Sequence, residues 1–285
     1  YRELHHASQA VAGALREHGV GAGDRVALLL GNRIEFVVAL FATTQIGAIS
    51  VPLSIREQKP GLAYALAHCA AVCVLHEADL ADLLPAPSEA PQLRHRVSMA
   101  ACAGSALNAS WQAHAPLSDV TPVQEEDTAV ILYTSGTTGL PKGVSTTQRS
   151  YVFRALFYAD YFRMKSSEVV YYVLPQYHVA YMVFGGPFAM AAGCEIVQVD
   201  WFSASRFWAD INRYNVSVTF STGTIVPVML GQPVGDAERQ GQSHLRLWVG
   251  WPVDDPAALR ARWPNTKFME LYGTTEAGNA TICDF

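Results

Sequence analysis

Apolar residues along the chain alternate between helical and strand spacing. Leu4, Ala7, Val11, Ala14 and Leu15 recur at helical intervals, and the run stops at Gly19, Gly21 and Gly23, which predicts an amphipathic helix. Asp24 leads into a continuous apolar run over 26–30, which predicts a buried strand. A second helix is predicted over 34–46, with Asn32 as its N-cap and Gly47 at its end, followed by a strand over 49–53. Pro60 opens a third helix, and 72–76 is again strand-like. Residues 128–134 predict a strand, 149–162 a helix, 169–174 a strand and 181–191 a helix. Further on come a strand over 195–199, a helix over 205–214, and strands over 216–220, 245–249 and 267–271.

Strands alternating with helices of this length predict an α/β fold with mostly parallel sheets covered by helices. Residues 83–123 interrupt the rhythm with Pro85, Pro87, Pro91, Pro116 and Pro122, and read as a surface excursion joining two packed α/β halves. The expected division is therefore 1–123 and 124–285.

Composition narrows the function classes. Of 285 residues, 50% are hydrophobic and 16% charged, which supplies a core and excludes a disordered chain. A net charge of −5 argues against a protein built to hold nucleic acid, since neutralising phosphates takes clustered Lys and Arg. Cys69, Cys73, Cys102, Cys194 and Cys283 form no C-x-x-C pair and are odd in number, so neither a zinc site nor a disulfide scaffold is expected; a reducing, cytoplasmic setting is. The run 169–194 carries no charge and is long enough to span a bilayer, but Pro175, Gln176, His178, Gly185, Gly186 and Pro187 break it, so a buried strand and helix are expected there instead. The start at Tyr1, without an initiator Met and without signal-peptide character, reads as a piece of a longer protein.

The most informative segment is 133–144, Tyr-Thr-Ser-Gly-Thr-Thr-Gly-Leu-Pro-Lys-Gly-Val. An apolar strand runs into six small residues, four with hydroxyls and two glycines, and then into a proline-braced lysine. Glycines let successive N–H groups converge on an anion, hydroxyls add donors without bulk, and Lys142 brings positive charge to a polyphosphate. It is not a Walker A loop, which would need Gly before the lysine and Ser or Thr after it; here Pro141 and Gly143 stand there. The competing reading is a flexible Ser/Gly/Thr linker, which fits poorly between two buried strands.

This segment closely resembles the phosphate-loop signature of the adenylate-forming, AMP-binding enzymes, which include acyl-CoA synthetases, peptide-synthetase adenylation domains and firefly luciferase. A second run, Leu271-Tyr272-Gly273-Thr274-Thr275-Glu276, is similar to the family's later nucleotide motif, and 32–53 to its early helix–strand unit. The likeness covers essentially the whole chain and is closest to the acyl-CoA synthetases. It implies nucleotide binding by Thr134, Ser135, Gly136, Thr137, Thr138, Gly139 and Lys142, by Gly250 and Trp251, and by Glu270, Leu271, Tyr272, Gly273, Thr274 and Thr275. In detail it places adenine on Tyr272, the α-phosphate at Thr275 and Mg²⁺ on Glu276, with Lys142, Thr275, Glu276 and His178 as the catalytic set. From the residues alone, Glu276 is equally a solvated loop acid or a metal ligand. His178 taken alone reads as a hydrogen-bonded core histidine in an apolar run.

The run 174–178 is similar to the family's aromatic–His pair lining the acid pocket. Tyr177-His178 stands where peptide-synthetase domains carry an aspartate for the substrate amine, so an aliphatic or aryl acid is favoured over an amino acid. Two departures are notable: Gln148 where Thr-His is common, and Gly250-Trp251-Pro252 where a turn of small residues is usual. Trp251 could narrow the acyl channel, stack on the base or fill core volume. The resemblance implies an AMP-forming ligase that activates a carboxylic acid with ATP and Mg²⁺ and passes the acyl group to coenzyme A. It also implies that a ribose-binding aspartate and a C-terminal lid domain follow in other members, so this chain alone is expected to turn over poorly or not at all. A non-catalytic nucleotide-binding remnant and a membrane-associated acyl transporter-synthetase are the alternatives, and homodimerisation stays open.

Overall fold

The computed structural model describes residues 1–99, 114–134, 139–183, 185–250 and 255–284. The chain divides into two compact units, Tyr1–Tyr151 and Val152–Phe285.

The first unit holds a six-stranded sheet. Its strands are β1 (Arg25–Leu29), β2 (Ile49–Pro52), β3 (Cys73–His76), β4 (His95–Ser98), β5 (Thr128–Thr134) and β6 (Lys142–Thr147), in the order β4-β3-β1-β2-β5-β6. All neighbours run parallel except β5 and β6, which form an antiparallel hairpin. Helices α1 (Arg2–Glu17), α2 (Ile34–Gln45) and α3 (Lys59–His68) connect or flank the strands. In α1 the apolar spacing buries Ser8, Val11, Ala12 and Leu15 on one face. Helix α2 is capped by Arg33 in extended conformation rather than by the expected Asn32. A core of Ala27, Leu29, Val51, Leu62, Leu66 and Val74 fills the space between α3 and the sheet strands.

The second unit repeats the plan with β7 (Val169–Tyr172), β8 (Glu195–Gln198), β9 (Val218–Phe220), β10 (Leu247–Gly250), β11 (Lys267–Thr274) and β12 (Gly278–Asp284). The order is β12-β11-β10-β9-β7-β8, parallel throughout except for the β11–β12 hairpin. Its helices are α4 (Gln148–Tyr161), which starts in the first unit, then α5 (Val179–Met182), α6 (Gly186–Ala191), α7 (Ala204–Arg213), α8 (Ile225–Leu230), α9 (Asp236–Gly241) and α10 (Pro256–Arg262). The predicted helix over 181–191 is thus two short helices. Gly185 between them and Gly186 at the start of α6 are both enforced by packing: a Cβ at Gly185 would lie 2.0 Å from the Tyr172 hydroxyl, and one at Gly186 would lie 2.5 Å from the Tyr181 ring. Aromatic rings dominate this core, with Phe207 stacked on Trp248 at 5.0 Å and Trp248 in turn 5.2 Å from Trp263.

The division at 151/152 differs from the one expected at 123/124. The reason is a non-local pairing: β5 docks on β2 with Ser50 opposite Val130, so the strand leading into the phosphate-loop segment completes the first sheet. Among the described residues no helix is long and apolar enough to cross a membrane; the uncharged run from Val169 is β7, α5 and α6.

Candidate functional site

In the first unit, the β5–β6 hairpin carries the phosphate-loop segment. Thr134 and Lys142 sit directly opposite each other where the hairpin opens, so the two ends of the loop are pinned together. Gly139 has φ +113°, a conformation that only glycine adopts without strain, and Lys142 is exposed. Ser135, Gly136, Thr137 and Thr138 lie outside the described residues.

In the second unit, a cavity of about 460 Å³ is lined by His178, Val179, Thr222, Gly223, Thr224, Gly273, Thr274 and Thr275. His178 follows β7, Thr222 follows β9, and Gly273 to Thr275 close β11, so the cavity lies at the carboxyl ends of parallel strands, where open α/β sheets bind their ligands. Three of the expected residues, Gly273, Thr274 and Thr275, thus meet a fourth, His178, from far away in sequence. Thr222, Gly223 and Thr224 were not anticipated. Their signal was present in the sequence: Ser-Thr-Gly-Thr after an apolar strand is the same small, hydroxyl-bearing pattern that marks 134–139.

His178 is neither buried nor a core residue. Its Nδ1 accepts a hydrogen bond from the Ala180 N–H at 3.1 Å and caps α5, which leaves the neutral ring's proton on Nε2. Desolvation lowers its pKa from the ordinary 6.5, because protein surrounds enough of the ring to disfavour the imidazolium even though one edge is open. The ring is therefore a neutral donor at pH 7. Across the cavity the Thr222 and Thr224 hydroxyls share a 2.8 Å hydrogen bond. The Thr222 loop is tied to the aromatic core one residue earlier, where the Trp248 Nε1–H donates to Ser221 Oγ at 2.7 Å.

Along β11 the side chains alternate. Leu271 is fully buried, Tyr272 is 59% exposed, and Thr275 is buried at the end of the strand. Leu271 therefore supports the strand from inside, and Tyr272 presents its ring to solvent. Glu270 is half-buried opposite Gly250 at the end of β10. A Cβ on Gly250 would stand 3.1 Å from the Ser221 carbonyl oxygen, so β9 and β10 approach here more closely than an ordinary side-chain contact allows. Trp251 lies outside the described residues. The β11–β12 turn is tight: Thr274 faces Gly278, and Thr274 Oγ1 accepts from the Ala277 N–H at 3.1 Å. Glu276 projects from that turn, exposed. Among the described residues no group of three or more His, Cys, Asp or Glu could enclose a metal. The donor set suits Mg²⁺ held by a single carboxylate together with phosphate oxygens and water, the usual coordination of that ion.

Comparison with known proteins follows the same line. The whole chain, residues 1–285, matches the model of the AMP-binding enzymes, and the protein belongs to that family. It is 30% identical over its full length to long-chain fatty acid transport protein 1 of Mus musculus, covering 45% of that protein. It is 31% identical to the crotonobetaine/carnitine–CoA ligase of Shigella dysenteriae serotype 1 (strain Sd197), over 97% of this chain and 55% of the ligase. The fold superposes on ATP-bound MatB from Rhodopseudomonas palustris with a TM-score of 0.87 at 23% identity, over 100% of this chain and 56% of MatB. The chain spans about half the length of the curated relatives it matches.

Proposed function

We propose that this chain is the large-domain portion of an AMP-forming acid–thiol ligase of the acyl-CoA synthetase type. The observation that carries the reading is the cavity at the ends of β7, β9 and β11. It offers neutral hydrogen-bond donors from His178 and four threonines, and no carboxylate among its lining residues. Such a wall suits phosphoryl oxygens and an uncharged acyl chain, and it provides no counter-charge for the ammonium of an amino acid. Two relatives bear names of a CoA ligase and a fatty acid transport protein, which supports an aliphatic acid, ATP and coenzyme A as the reactants.

In this reading an acid carboxylate attacks the α-phosphorus of ATP, the bond to pyrophosphate breaks, and an acyl-adenylate forms. A thiolate then attacks the acyl carbon and AMP leaves. The protein's work is positioning and stabilising charge on phosphoryl oxygens. Thr275 donates to the α-phosphate, Lys142 and the 134–139 loop receive the outer phosphates, and Tyr272 presents its exposed ring to adenine. His178 orients the carboxylate through Nε2–H. Mg²⁺, when held by Glu276, neutralises charge on the phosphates. The reaction is set in a cytoplasmic compartment.

The test is carboxylate-dependent exchange of labelled pyrophosphate into ATP by the full-length protein. Thr275→Ala is expected to slow exchange about 10²-fold, the usual cost of one donor to a developing anion. Exchange that proceeds equally fast in the variant, or none in the wild type with any acid, contradicts the reading.

A further inference from the structure

Among the described residues, Arg154 of the second unit is a cation with a shielded donor that has no hydrogen-bond partner. Arg154 projects from α4, and its Nη1 is shielded from water without a hydrogen bond. Desolvation lowers its pKa from the ordinary arginine value, and among the described residues the group that offsets this is Tyr158, a phenol rather than a carboxylate. The guanidinium rests against the β11–β12 turn: a Cβ added at Gly278 would stand 3.2–3.3 Å from it. Gly278 has φ +72° and lies directly across the hairpin from Thr274, a wall residue of the cavity. Arg154 therefore packs on the hairpin that carries Thr275 and Glu276.

A half-buried guanidinium without an anion is costly, and folds normally pair it. Two other arginines of this unit are paired: the partly exposed Arg246 with Glu168, and the well-shielded Arg262 with Glu238. We propose that Arg154 binds an oxyanion of the ligand, a phosphoryl or carboxylate oxygen brought to the β11–β12 hairpin. The proposal rests on the reading of the cavity as a site for ATP and an acid. Its chemistry is specific. An anion arriving beside the Glu276 carboxylate meets repulsion, and a guanidinium fork on the same hairpin offsets it with charge and two parallel N–H donors.

The experiment compares the wild type with Arg154→Gln and Arg154→Lys. Melting temperature is read without ligand, and calorimetric affinity is read for ATP with MgCl₂, inorganic pyrophosphate, acetate and benzoate. Ligand-free Arg154→Gln is expected to melt at or above the wild-type temperature, because an uncompensated cation has been removed. Its affinity for at least one probe class is expected to fall tenfold or more, with Arg154→Lys intermediate. Loss confined to ATP and pyrophosphate assigns the oxygen to a phosphoryl group, loss confined to acetate and benzoate assigns it to the acid, and loss of both places the guanidinium between them. A lower ligand-free melting temperature, or affinities unchanged for every probe, overturns the proposal. A wild type that binds none of the probes overturns the ATP-and-acid reading along with it.

Discussion

Arg262 and Arg154 lie in the same α/β unit and carry the same side chain, yet the fold treats them in opposite ways. Arg262 donates from Nε to Glu238 Oε1 at 2.7 Å and from Nη2 to Oε2 at 2.8 Å. It also reaches the carbonyls of Leu230 at 2.6 Å and Gln232 at 2.9 Å. Glu238 also accepts from the buried Trp263 Nε1–H at 2.8 Å, so one carboxylate ties α9 and α10 to the aromatic core. The bond to Glu238 raises the Arg262 pKa, while burial lowers that of Arg154. A satisfied network of this kind specifies the fold, and an unsatisfied group packed on a hairpin that also borders a cavity marks a place left open for another partner. Distance along the chain from a recognised motif does not separate the two roles; hydrogen-bond accounting does.

The largest expected effect comes from breaking the satisfied network. Glu238→Ala strands a buried guanidinium and an indole N–H together and should cost about 3–5 kcal/mol in urea unfolding. A loss below about 1 kcal/mol would remove the contrast on which the comparison stands. Next in size is the pair of lysine substitutions. Arg262→Lys loses the bidentate fork and two carbonyl bonds and should cost about 2–3 kcal/mol, whereas Arg154→Lys should leave ligand-free stability within about 0.5 kcal/mol. Equal losses at both positions would mean that the two arginines do the same job.

The Glu168–Arg246 pair gives a smaller, pH-dependent effect. Burial pushes the Glu168 carboxyl up, but its bonds to Arg246 and to the Lys165 N–H outweigh this and bring it below its ordinary 4.5. A depressed carboxylate adds stability above its unfolded pKa and loses it as pH falls through the folded value. Wild type minus Glu168→Gln should therefore be largest above pH 4.5 and shrink in more acid solution. A difference that is flat with pH would contradict the pairing. The smallest effect belongs to His178. Its lowered pKa means that NMR should find the ring neutral at pH 7, titrating below 6.5, with the proton on Nε2. The stability it contributes is present above 6.5 and lost as pH falls through the lower folded value. An imidazolium signal at pH 7 would show that the cavity wall is charged.

Much of this architecture was legible in the sequence because helix and strand periods differ sharply. Runs such as 26–30, 72–75 and 169–174 are apolar throughout, as strands covered on both faces must be. What stayed hidden depends on pairing or on weak local patterns. β4, the four residues His95–Ser98, lies inside a proline-rich stretch and carries no apolar alternation. β12 reads Gly-Asn-Ala-Thr-Ile-Cys-Asp and gains its strand character from pairing with β11. α8, α9 and α10 are six or seven residues long, too short for periodicity to register. The site divides in the same way. Thr274 and Thr275 stand out as a motif, but the meeting of His178 with the Thr222 loop is a property of strand order. Arg154 lacks any sequence signal, because a missing partner is visible only in three dimensions.

The central claim is that the cavity bounded by His178, Thr222 and Thr275 receives an acyl-adenylate. Its most direct test is thermal melting of this chain with non-hydrolysable acyl-adenylate mimics carrying acetyl, aryl and long-chain groups. A ligand that binds only the folded form raises the melting temperature, by an amount set by its concentration relative to Kd. The melting temperature should rise with one acyl class, and the rise should be lost in Thr275→Ala and retained in a distant surface variant such as Arg239→Ala. No rise with any mimic, or a rise that survives Thr275→Ala, would contradict it.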